Sequence, residues 1–161
     1  MPVVVSDTSP IIALAHLQRI DFLECFFGKV LVPPAVLAEL RRPAWERLVR
    51  DVIGASFIQV RSPADRARVD QLGATLDPGE AEALVLALEV HAEAVLMDEA
   101  EGRSMAQSLG LTTIGVLGLL LRAKREGLLV AVRPELDRLQ RDLGFHVSQH
   151  LRATFLADAG E

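Results

Sequence analysis

The chain has 161 residues, half of them apolar, a size that suits one domain with a sizeable core and excludes a chain disordered throughout. Its 17 Lys and Arg against 22 Asp and Glu leave a net charge of −5, which excludes a general polyanion binder; any contact with nucleic acid needs a local basic patch. The one cysteine, Cys25, excludes a disulfide framework and a cysteine-based zinc site.

Tyr is absent and aromatics are scarce, so the core is expected to be aliphatic. Val3-Val4-Val5-Ser6 is a β-branched run ending at Asp7, the pattern of a strand buried on both faces. Ser9 reads as the cap and Pro10 as the first turn of a helix with Ile11, Leu14, Ala15 and Leu17 inward. A short helix over residues 21–27 is expected to hold Cys25 as a small buried hydrophobe. Residues 29–32 form a second strand, stopped by Pro33-Pro34, which opens a helix with Val36, Leu37 and Leu40 inward. A helix over 43–53 and a third strand over 57–60 follow.

Residues 64–72 make a charged amphipathic helix. Asp77-Pro78-Gly79-Glu80 has capping-box order and starts a helix running to about His91. Residues 94–97 are a fourth strand ending at Asp98. A helix over 102–109 ends at Gly110, a fifth strand covers 111–114, and a helix over 116–126 closes at Gly127. Helical segments over 134–143 and 148–156 finish the chain. Strands alternating with helices predict an α/β fold, a parallel sheet with helices on both faces. The opening residues lack the basic and long apolar regions of a signal peptide, and no apolar run reaches the ~18 residues of a membrane span, so a cytoplasmic location is expected.

In an open parallel sheet, ligands bind beyond the carboxyl ends of the strands. Asp7 follows the first strand and Asp98 the fourth, so both are expected at that edge. Glu39 lies on the helix after the second strand; Glu80 and Glu82 open the helix before the fourth, and reach the edge only if the preceding loop brings them back. Each has a plainer role: Asp7 and Asp98 as helix caps, Glu80 as a capping-box partner, Glu39 as a solvated helix residue. Together they are acids without adjacent bases, which repel unless a cation neutralises them, and hard oxygen donors select Mg²⁺ or Mn²⁺. His146 and His150, four apart in a late polar segment, are not read as a zinc pair. No glycine-rich loop follows the first strand, and neither the paired acids of a phosphoacceptor domain nor the Asp-x-Asp of a dehalogenase-type phosphatase is present there.

Val-Val-Ser-Asp7-Thr8-Ser9-Pro-Ile-Ile, Val-Leu-Ala-Glu39-Leu, Leu-Asp-Pro-Gly-Glu80-Ala-Glu82-Ala-Leu, Val-Leu-Met-Asp98-Glu99-x-x-Gly-Arg103 and the later Ile-Gly115-Val-Leu-Gly118 run together resemble the PIN-domain nucleases. The resemblance implies an α/β/α sandwich around a central, mostly parallel sheet of about five strands. It divides the chain into a nuclease domain over 1–130 and a C-terminal helical extension over 131–161 packed on it. It implies Mg²⁺- or Mn²⁺-dependent cleavage of single-stranded RNA, as the toxin of a toxin–antitoxin pair. By motif, Asp7 and Asp98 become metal ligands and Glu39 a further catalytic acid. Glu80 and Glu82 compete for the third acid position, Glu80 by its distance to Asp98 and Glu82 by the apolar helix that follows it. Glu99 takes a secondary metal role, Thr8 and Ser9 hydrogen-bond the Asp7 carboxylate or the substrate, and Arg103 holds a carboxylate, meets a phosphate or serves as a structural ion-pair partner; Arg42, by its charge near Glu39, is expected to contact the substrate. A catalytically degenerate PIN fold that binds RNA or protein without cutting is the alternative.

Arg41, Arg42, Arg47 and Arg103 are the nearest local cations to these acids and are expected to line a substrate groove. Val116, Leu117, Leu119, Leu120 and Leu121 cover more than one helix face, and the late segment adds Leu136, Leu139, Leu143, Phe145, Leu151, Phe155 and Leu156. Either the two regions pack on each other, or they form a homodimer interface or a groove for an antitoxin helix.

Overall fold

A computed structural model describes residues 2–161. Five strands form one all-parallel sheet: β1 (Val3–Ser6), β2 (Lys29–Val32), β3 (Ile58–Val60), β4 (Ala94–Leu96) and β5 (Thr113–Ile114), in the order β3-β2-β1-β4-β5. Helices α1 (Thr8–His16) and α2 (Asp21–Phe27) connect β1 to β2; α3 (Pro34–Leu40) and α4 (Pro43–Ile53) connect β2 to β3. The chain then crosses back through α5 (Arg66–Leu72) and α6 (Pro78–Glu89) to place β4 on the other side of β1. α7 (Ala100–Ser108), α8 (Val116–Arg125), α9 (Arg133–Leu143) and α10 (Gln149–Asp158) complete it. The direction of winding reverses between β1 and β4, and a crevice opens at such a switch point beyond the carboxyl ends of the strands.

Strand periodicity sorts side chains to two cores, as alternation requires. Val4, Val30, Val32, Ala94 and Leu96 join one core cluster. Val5, Leu31, Val95 and Met97, each one position on, join the other, under Leu84 and Ala81 of α6. The result is an α/β/α sandwich. α6 is buried almost all round, from Gly79 to Ala87. Its small residues, Ala81, Ala83 and Ala87, let it lie close against the sheet with α3 and α5 beside it. No helix among the described residues is long and apolar enough to cross a membrane.

Several local expectations change. Ser9 does not cap the first helix: α1 begins at Thr8 with Asp7 at the N-cap position, because β1 runs directly into the helix. Cys25 is exposed, since α2 buries Phe22, Leu23, Phe26 and Phe27 and turns the position between them outward. β5 shrinks to two residues and α7 starts at Ala100 rather than 102. The capping box is present as read, with Glu80 N–H donating to Asp77 Oδ1 at 2.8 Å and Asp77 N–H to Glu80 Oε2 at 3.1 Å.

The apolar surplus of α8 is largely consumed within the chain. Val116, Leu119, Leu120 and Ala123 are buried in one cluster with Leu136 and Leu139 of α9 and Phe155 and Leu156 of α10. Glu161 ties this layer down: its carboxylate accepts from Lys124 Nζ at 2.9 Å, Val132 N–H at 2.7 Å and Arg133 N–H at 3.1 Å.

Candidate functional site

β1 and β4 are paired neighbours, Ser6 opposite Leu96, and the Asp7 amide donates to the Leu96 carbonyl at 2.9 Å. Asp7 and Asp98 therefore leave adjacent strands at the same edge. Asp7 is 95% buried and makes no capping hydrogen bond to α1. Burial pushes its carboxyl up to about 7; the Thr8 amide partly offsets this, and the charges of Asp77, Glu80 and Glu39 add to it. An acid at an N-cap ordinarily gains from the helix; here the desolvation wins.

Asp98 stands in a second, related setting. Its Oδ1 accepts from Val116 N–H at the start of α8 at 2.8 Å, while its buried Oδ2 has no partner among the described residues. Burial lifts its carboxyl to about 6, against the pull of the Val116 amide and of Arg103, with Glu99 raising it further. Arg103 donates from Nη1 to the Met97 carbonyl at 3.1 Å, which places a cation beside the acid.

Three glycines make these approaches feasible. A Cβ on Gly79 would lie 3.0 Å from Glu39 Oε1 and 3.4 Å from Asp7 Oδ1, so both carboxylates crowd the N-terminus of α6. A Cβ on Gly115 would lie 2.9 Å from both Asp98 Oδ1 and Arg103 Nη1. A Cβ on Gly102 would collide with the Met97 sulfur, so α7 could not seat on the strand end. The glycines of the sequence motifs are thus spaces left for charged side chains and for helix packing.

The loop before α6 does bring that helix back to the edge, and its two acids part company. Glu80 is buried; its carboxyl is raised first by burial and then by Asp77, Glu99 and Glu101, so it shares the field of the strand-end acids. Glu82 is also buried but faces α3 and α5. Its Oε1 accepts from Ala35 N–H at 2.9 Å and its Oε2 from Arg66 at 3.0 Å. It satisfies an otherwise unpaired amide at the start of α3.

Thr8 is buried with an unpartnered Oγ1, and Ser9 is half-buried. Arg42, at the N-cap of α4, is exposed, as are Arg41 and Arg47. A cavity of about 910 Å³ opens beside Asp98; Ser9, Asp98, Glu99 and Arg103 line it, and Asp7, Glu39, Glu80, Glu82 and Arg42 do not. Sequence reasoning gave Asp77 only a capping role and overlooked Trp45, which lines the same cavity. The adjacency of Asp77 to Gly79 and Glu80 was the available signal for the first. For Trp45 there was none, because its reach to the cavity depends on how α4 crosses α1.

Among the described residues, no three His, Cys, Asp or Glu side chains converge on a single point as they stand. The donors nevertheless suit a hard divalent cation: all are oxygens, Asp98 Oδ2 and Thr8 Oγ1 are buried without partners, and Asp7 carries a strongly opposed charge.

Residues 3–161 match the model of a family, DUF3368, described as a PIN domain. No curated protein matches the chain.

Proposed function

The chain belongs to the PIN-domain family, and from that premise we propose that it is a Mg²⁺- or Mn²⁺-dependent endoribonuclease cutting single-stranded RNA. The carrying observation is the pair of buried, charge-opposed carboxylates on adjacent strand ends, Asp7 and Asp98, with Asp98 Oδ2 left unpartnered. Asp7 and Asp98 would hold the cation, with Glu99 in a secondary role. When bound, such a cation polarises a phosphate oxygen and makes a water more acidic.

The rest falls to the chain's own groups. Glu39 and Glu80 orient the attacking water and one of them accepts its proton as the water oxygen bonds to phosphorus; the bond from phosphorus to the departing ribose oxygen breaks, and that oxygen takes a proton from solvent. Glu80 is the third acid in this reading, supported by its place in the field of Glu99 and Asp77; Glu82 is already committed to Ala35 and Arg66. Arg103 spends one of its donors on Met97 and presents the others to a phosphate. Thr8 donates from a hydroxyl that has no partner among the described residues, Ser9 binds from the cavity wall, and Arg42 contacts the backbone of the strand further out.

The reading extends to a cytoplasmic toxin that acts as a homodimer and is restrained by an antitoxin. Leu128 and Val130, 42% and 95% exposed, offer apolar surface for protein contact away from the cavity. A monomeric mass by light scattering would remove the dimer, and a failure to co-purify with the adjacent gene's product would remove the antitoxin.

The test of the activity is direct. Protein free of contaminating nuclease cleaves single-stranded RNA with Mg²⁺ or Mn²⁺ and stops in EDTA; full cleavage in excess EDTA overturns the proposal. A second reading, a PIN fold that binds without cutting, draws support from the acids' failure to converge. Calorimetric titration with Mn²⁺ separates the two, since a degenerate site takes up no metal.

A further inference from the structure

The chain has few aromatic residues, and their distribution is uneven. Of six Phe and one Trp, Phe22, Phe26, Phe27 and Phe155 are buried in the core, and Phe57, Trp45 and Phe145 are half-buried against its edge. Of these three, Trp45 and Phe145 also line the cavity that holds Asp98 and Arg103. They arrive from opposite parts of the chain. Trp45 stands on the first turn of α4, next to the exposed Arg41, Arg42 and Arg47, none of which forms an ion pair among the described residues. Phe145 follows Gly144, whose left-handed conformation (φ 63°) ends α9, and the Phe145 amide is fixed to the Leu139 carbonyl at 3.1 Å.

We propose that this cavity receives an unpaired nucleobase of the substrate strand, stacked on Trp45 and Phe145 while the adjoining phosphate lies at Asp98 and Arg103. The inference rests on the nuclease reading above and adds to it the means of strand selection. The volume, about 910 Å³, is that of a small-ligand pocket. Ile12, Ile114, Leu117 and Leu143 supply apolar walls suited to the faces of a base. Arg103 is the cavity's arginine, beside Asp98 and Glu99, while the exposed Arg41, Arg42 and Arg47 stand near Trp45 outside the cavity wall, where the backbone would leave. Every base has a π-face, so such a platform is tolerant of sequence, but a paired base within a duplex cannot reach it. The cavity therefore selects single strands by shape.

Trp45 is the only tryptophan and Tyr is absent, so the intrinsic emission of the protein reports on this wall alone. The Asp7→Asn chain, whose loss of cleavage keeps the strand intact with Mg²⁺ present, is titrated with a mixed-sequence oligoribonucleotide, the same strand carrying abasic riboses, and a duplex. The intact strand is expected to quench Trp45 and to bind about 5- to 100-fold more tightly than the abasic one. Phe145→Leu, which keeps apolar volume, weakens binding to a similar degree, and Phe145→Tyr restores it. The salt dependence stays unchanged in both, because a neutral stack releases no counterions. The abasic comparison needs no change at Phe145, so it stands even if that variant folds poorly.

Equal affinity for intact and abasic strands with unmoved Trp45 emission overturns the inference and leaves chelator-sensitive cleavage by the wild type standing. Absence of both nucleic-acid binding and metal-dependent cleavage overturns the two together. A dimer in which Trp45 is already shielded from acrylamide and does not respond to RNA also overturns it, and assigns the cavity to a protein contact.

Discussion

Asp7→Asn is the most discriminating change, because Asn caps a helix as well as Asp does and leaves stability unchanged if Asp7 is only a cap, but raises it without metal if Asp7 is a buried, charge-opposed ligand. The Asp7 carboxyl titrates near 7 in the folded protein against an ordinary 3.8. A group raised in this way contributes most below its unfolded value; its contribution is lost as pH climbs from about 4 to about 7, because the native state must then hold a buried charge. At 1.36 kcal/mol per pH unit, the difference is at most ~4 kcal/mol above pH 7. Asn has the same shape and carries no charge. In EDTA the variant is therefore expected to match the wild type near pH 4 and to exceed it at pH 8. Each kcal/mol raises the melting temperature of a chain this size by roughly 2–4 °C. RNA cleavage is lost at every pH, and so is the stabilisation that Mn²⁺ gives the wild type, since ligand-linked stability requires the ligand's site. Differential scanning fluorimetry at pH 4, 6 and 8, with and without Mn²⁺, reads all of this. A variant no more stable than the wild type at pH 8, as expected where Asn merely replaces Asp as a helix cap, would refute the reasoning.

Further consequences separate neighbouring residues. Glu80→Gln keeps the acceptor of its capping box and loses the charge, so cleavage should fall at least tenfold with stability held or raised. Glu82→Ala leaves the Ala35 amide unpaired and should cost about 1–3 kcal/mol by urea unfolding while cleavage by the folded fraction persists. Gly115→Ala places a methyl against the Asp98 carboxylate and should break its bond to the Val116 amide, lowering both cleavage and Mn²⁺ affinity measured by calorimetry. Glu161→Ala removes the acceptor that joins Lys124, Val132 and Arg133. It should lower the melting temperature by a few degrees at pH 7 and by little near pH 2. Those partners hold its carboxyl near 2, so its contribution is present above about 4.5 and lost as pH falls toward 2.

The sequence by itself determined the alternation of strand and helix, the parallel sheet, the capping box at Asp77 and Glu80, and the arrival of Asp7 and Asp98 at strand ends. These are local properties: β-branched runs and 3.6-residue periods declare themselves within a few residues, and parallel pairing orders the ends of strands. It could not choose between Glu80 and Glu82, two residues apart on one helix, because their difference is what each one meets. Glu80 meets the field of Glu99 and Glu101; Glu82 meets an amide of α3 and the guanidinium of Arg66. Cys25 was misjudged for the same reason, since an apolar run does not say which of its positions turns outward. The late apolar residues read as surplus until α9 and α10 are seen to close over α8. Only the tertiary structure brings Trp45 and Phe145, 100 positions apart, to one cavity beside Asp98. Burial, charge proximity and cavities arise from contacts between distant segments, and no window along the chain contains them.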